Sequence, residues 1–97
     1  MELSYANEQL RALCLGARTR AFSENQMIQI RSFLADLRAS DNLADSPWSE
    51  LALSDPFELH LERGTVRICG TTAHAGPARD MPIERLKLLS ISRVGEL

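Results

Sequence analysis

The chain is 97 residues long, 44% hydrophobic and 25% charged, with a formal net charge of −2. That length fits one domain, residues 1–97, which buries roughly two-thirds of the surface of its unfolded chain. No apolar run approaches the roughly 20 residues of a membrane span, and the N-terminus lacks a signal peptide's basic-then-apolar order, so a soluble, cytoplasmic protein is expected.

In chain order, Glu2 to Tyr5 is a short candidate strand. Asn7 is placed to cap a helix running to Leu15, with Leu10, Leu13 and Cys14 as its buried stripe and Gly16 at its stop. The next helix has the strongest start signal. Ser23 and Gln26 have the spacing of a capping box, and Phe22 and Met27 occupy the hydrophobic-staple positions. Met27, Ile30, Phe33, Leu34 and Leu37 form one apolar face, and the helix should reach about Ala39. Ser40 to Pro56 reads as a loop anchored by Leu43 and Trp48, with a short strand expected over Leu51 to Leu53.

The stretch Phe57 to Gly70 reads as a β-hairpin. Phe57, Leu59 and Leu61 alternate with Glu58, His60 and Glu62, and Val66 and Ile68 resume the apolar set after Arg63-Gly64. A two-residue turn there sets Leu61 against Val66 and Leu59 against Ile68 on the core side. On the other side it pairs Glu62 with Thr65, His60 with Arg67, and Glu58 with Cys69. Gly70 to Pro82, which contains His74, reads as irregular, with one helical turn expected over Pro82 to Arg85. Leu86 to Ile91 is apolar on both faces, as a central strand requires.

The expected fold is therefore α+β: a short N-terminal strand and two helices packed on one face of a small antiparallel or mixed sheet. His60 and Arg67 fall on the other face. Cys14 and Cys69 sit among apolar residues and read as buried, reduced thiols; with two distant histidines they have no zinc-like spacing, and no cofactor or metal is expected.

Charge is unevenly spread. Residues 36–62 hold seven acids against one base, Arg38, and this acidic middle opposes general nucleic-acid affinity. Ten of the eleven bases are arginine, which suits bidentate contacts to phosphate or carboxylate, although a solvated arginine-rich surface explains them equally. Arg67 is a candidate phosphate clamp, or a cross-strand partner of Glu58 or Glu62. His60 is a candidate general acid or base, or an exposed strand histidine with no role.

Several segments, in order along nearly the whole chain, resemble the RelE/HigB superfamily of toxins from type II toxin–antitoxin systems, and among them the proteic killer, or plasmid maintenance killer, branch. YANEQLRALC (Tyr5 to Cys14) is similar to that branch's opening helix, and IRSFLADLRASDNLADSP (Ile30 to Pro47) to its second helix and following loop. GTVRI (Gly64 to Ile68) resembles its Gly-x-x-Arg-Leu strand, which puts Arg67 at the strand arginine, and MPIERLKLLSI (Met81 to Ile91) is similar to its last strand. The resemblance implies a metal-independent, ribosome-dependent mRNA endonuclease (an mRNA interferase) that inhibits translation. Its partners would be the ribosome, mRNA and a cognate helix-turn-helix antitoxin. The chain departs from the pattern in two places. LALSDPF (Leu51 to Phe57) carries no base where the family has a basic segment, and SRVGEL (Ser92 to Leu97) lacks the family's closing Tyr-His. Only Arg67 has a counterpart by motif; His60, Lys87 and Arg93 are substitutes by position. The alternative expectation is a catalytically lapsed interaction module of the same fold that binds an antitoxin-like or other protein.

Overall fold

A computed structural model describes residues 1–17, 19–72 and 83–94. The elements are β1 (Glu2–Tyr5), α1 (Glu8–Cys14), α2 (Glu24–Ala39), two 3-10 turns (Leu43–Asp45 and Ser49–Leu53), β2 (Phe57–Leu61), β3 (Val66–Thr71) and β4 (Arg85–Arg93). The four strands form one mixed sheet in the order β1-β4-β3-β2. β1 runs parallel to β4, while β3 is antiparallel to both β4 and β2. This is the α+β architecture expected, with both helices on one sheet face.

Local chemistry sets the helix ends. Asn7 Oδ1 accepts from Leu10 N at 2.8 Å, and Gly16, at φ +101°, takes the left-handed conformation after α1. At α2, Gln26 N donates to Ser23 Oγ (3.2 Å) and Ser23 N to Gln26 Oε1 (2.8 Å), so both bonds of the capping box form. The apolar stripe of α2 then packs on the sheet: Ile30, Phe33, Leu37, Leu43, Val66, Ile68, Leu86 and Leu88 are all 0% exposed. Trp48 meets Phe33 edge-on at 5.1 Å between ring centres, and its Nε1 donates to Asp36 Oδ2 at 3.2 Å. Arg38 Nη2 donates to Tyr5 Oη and to the Cys14 carbonyl, tying α2 to β1 and to the end of α1.

The hairpin has the expected register: Phe57–Gly70, Glu58–Cys69, Leu59–Ile68, His60–Arg67 and Leu61–Val66. Its turn is wider than two residues. Glu62, Arg63 and Gly64 all have positive φ (45°, 55° and 83°), and Gly64 N and Thr65 N donate to Leu61 O and Glu62 O, each at 3.1 Å. Gln26 Nε2 donates to Thr65 Oγ1 at 3.1 Å, fastening this turn to the start of α2.

Two local expectations are corrected. Leu51 to Leu53 is a 3-10 turn, closed by Leu51 N donating to Trp48 O at 3.0 Å. A strand would set Leu51 and Leu53 on one face; the turn buries Leu51 and leaves Leu53 86% exposed. Over the described part of Pro82 to Arg85 there is no helical turn: Glu84 O accepts from Glu2 N (2.8 Å) and Arg85 already pairs with Glu2 in the sheet. Tertiary pairing overrides a weak local preference here.

Candidate functional site

The sheet face opposite the helices is built by strand alternation. Register places His60, Arg67 and Ser92 side by side across β2, β3 and β4 on this open face. Glu58, Cys69 and Ser90 form the next row. Thr71, Lys87 and Ser4 form a third.

Glu58 is the centre of the first two rows. Its Oε1 lies 3.7 Å from His60 Nε2 and 3.7 Å from Arg67 Nε. One carboxylate oxygen thus faces both an imidazole and a guanidinium. The distances exceed those of hydrogen bonds, and all three side chains are about half exposed, so water screens these pairs to roughly 0–1 kcal/mol each. An incoming anion can displace Glu58 from Arg67 at little cost. Arg67 is therefore a loosely held cross-strand partner of Glu58.

The remaining candidates separate. Lys87 is on the open face but pairs with Thr71, four residues along β3 from Arg67. At ~3.3 Å per residue that is about 13 Å, too far for the two cations to hold one phosphate together. Arg93 pairs with Val66, which is buried on the helix side, and so lies off the open face. The cause is a β-bulge. Cys69 pairs with Ser90 but Gly70 with Leu88, which leaves Leu89 as an extra residue and shifts the alternation of β4. The same shift carries Ser92 to Arg67, a neighbour that sequence spacing does not reveal. Ser92 Oγ is buried and has no hydrogen-bond partner among the described residues. His74 lies outside the described residues.

Cys69 and Cys14 are both free thiols, but only Cys14 is fully buried; Cys69 is half-buried on the open face because it alternates out of the core. Burial pushes the Cys14 thiol up to about 11, partly offset by the Arg38 guanidinium. No three His, Cys, Asp or Glu side chains gather as a metal-binding group among the described residues, and no described helix is long and apolar enough to cross a membrane.

Two open grooves flank the sheet. One of about 650 Å³ runs along β4 beyond the end of β1, between Leu89 and Ile91 and the side chains of Leu10, Leu13 and Phe22. The other, of about 610 Å³, follows the outer edge of β2 and is lined by Leu51, Leu53, Phe57 and Leu59, with Glu58 and His60 at its rim. In comparisons with known proteins, the chain matches no family model, no curated protein and no solved structure.

As chemistry, the open face offers a guanidinium that can hold a phosphate or carboxylate, an imidazole on the adjacent strand, and a carboxylate 3.7 Å from each. A guanidinium can bind an anion, and an imidazole can exchange a proton near neutral pH.

Proposed function

We propose that this chain is the toxin of a type II toxin–antitoxin system, a metal-independent endoribonuclease that cleaves mRNA on the ribosome. The observation that carries the reading is the grouping of His60 and Arg67 around Glu58 on an uncovered sheet face. In such a cleavage the 2′-hydroxyl attacks the adjacent phosphate. The bond to the 5′-oxygen breaks and that oxygen takes a proton from water, leaving a 2′,3′-cyclic phosphate and a free 5′-hydroxyl. His60 takes the hydroxyl proton, and Arg67 stabilises the charge that builds on the phosphate oxygens. Glu58, 3.7 Å from both groups, favours the protonated imidazole electrostatically and yields Arg67 to the substrate. Lys87, about 13 Å along the sheet, meets a neighbouring phosphate of the same strand.

Induced expression in a bacterial host tests the reading. Wild type should arrest growth and leave cut transcripts. Arg67→Ala should lower cleavage by about 10²–10³-fold, the usual cost of one oxyanion donor. His60→Ala should cost about 10²–10⁴-fold. Intact transcripts and normal growth with folded wild-type protein would exclude the nuclease.

A second reading rests on a different feature. The apolar groove between α1 and β4 is a ready surface for a protein partner, so the fold also serves as an antitoxin-binding module without chemistry of its own. Harmless expression together with capture by a cognate helix-turn-helix protein would favour it.

A further inference from the structure

β2 ends the sheet, and its outer edge is chemically self-complementary. Val94 N donates to Thr65 O at 2.9 Å, so the peptide groups of Thr65, Arg67 and Cys69 turn toward β4. Those of Val66, Ile68 and Gly70 therefore turn toward β2, where Leu61, Leu59 and Phe57 meet them. By the same alternation the N–H and C=O groups of Glu58 and His60 point outward, and no described hydrogen bond involves them.

We propose that this edge pairs with the same edge of a second copy of the chain, antiparallel about a two-fold axis at Leu59. In that register Glu58 lies opposite the partner's His60 and His60 opposite the partner's Glu58. Both outward-pointing residues of each copy exchange backbone hydrogen bonds, and Leu59 faces the partner's Leu59 on the helix side. The neighbouring registers that keep the same peptide groups facing one another set Glu58 against the partner's Glu58, or His60 against the partner's His60. Unlike pairing therefore selects the Leu59-centred register. Leu53, 86% exposed at the rim of the same groove, gains cover from the partner. The axis stands perpendicular to the sheet, so both open faces stay on one side. The two four-stranded sheets become one, and the partner's Glu58 joins His60 in each site. The two Arg67 side chains then lie three strand spacings across and two residues along from one another, about 16 Å apart. This inference stands independently of the ribonuclease reading, because its readout is mass.

Sedimentation equilibrium on the purified full chain, up to about 1 mM because short interfaces are weak, measures the association. The expected result is a monomer–dimer equilibrium for wild type. His60→Glu, which sets like charges opposite one another, should raise Kd at least tenfold. The combination Glu58→Lys with His60→Glu should restore it. Leu53→Asp, at a position too exposed to disturb folding, should also weaken the dimer. Circular dichroism confirms that each variant is folded. A wild type that stays monomeric throughout overturns the proposal; Glu58 and His60 then act as charged guards on the edge, or leave it to an unrelated strand. A dimer indifferent to His60→Glu and to Leu53→Asp overturns it equally.

Discussion

Gly70 has no room for a side chain. A Cβ there would collide with Phe57 Cζ and lie 2.7 Å from Phe57 Cε2 and 2.8 Å from the Lys87 carbonyl oxygen. The ring and the backbone are both held by the core, so neither yields cheaply. Gly70→Ala should destabilise the protein by about 1–3 kcal/mol, read as a lower urea midpoint; an unchanged midpoint would mean that Phe57 has another rotamer available. Cys14 makes a prediction about pH. Its thiol is raised from 9.0 to about 11 in the folded protein, chiefly by burial, so the native state holds that proton more tightly than the unfolded chain does. Stability from this group is intact below pH 9.0 and is lost as pH rises from there toward 11. At about 1.4 kcal/mol per pH unit the loss has a ceiling of ~2–3 kcal/mol. Comparing the fall in urea midpoint between pH 8 and pH 10.5 for wild type and Cys14→Ala isolates it from other alkaline titrations; equal falls would refute the assignment.

Among the elements, the hairpin turn is the least comfortable. Glu62 and Arg63 occupy the left-handed region at φ 45° and 55°, where most side chains crowd the backbone. Asn tolerates the left-handed region better than Arg does, so Arg63→Asn should raise stability by some tenths of a kcal/mol up to about 1 kcal/mol, measured as a higher Tm. A drop would show that the Arg63 side chain makes contacts that matter more than backbone strain. The turn also shows which features sequence reveals. The register of β2 against β3 is legible because Phe57, Leu59 and Leu61 alternate with charged residues, and a slip by one would turn them all to water. The start of α2 is legible because the capping box is a contact between Ser23 and Gln26, three residues apart. The bulge at Leu89 is not, because LKLLSISR is apolar enough to be read in either phase. Alternation together with a turn at Arg63-Gly64 thus puts His60 beside Arg67, whereas the phase shift that removes Arg93 and brings in Ser92 depends on strand pairing far along the chain.

For the whole molecule, the acidic middle turns out to be partly structural. Asp36 accepts from Trp48, Asp45 from Asn42, and Asp55 from Thr71 and Thr72, while Glu58 faces Arg67 and His60. These carboxylates hold loops and strands in place; their hydrogen-bond donors are neutral, so each keeps its charge, and Glu58 is the one that directly faces Arg67. The net charge of −2 supplies no general attraction for a polyanion, so under the proposed function affinity for single-stranded RNA comes from local contacts. With Arg67 and Lys87 as those contacts, log K should fall with log salt at a slope of about −0.7 to −1.4, at ~0.7 per phosphate. Removing either cation should flatten the slope by about 0.7. Glu58→Gln should strengthen binding at low salt, because it releases Arg67 and lowers local negative charge, yet it should slow cleavage if the carboxylate supports the protonated His60. Fluorescence anisotropy with a short labelled RNA, read across a salt series, measures the binding, and transcript integrity after induced expression measures the cleavage. A steep slope would mean that other cations carry the RNA, and an unchanged slope in Arg67→Ala would remove Arg67 from the interface.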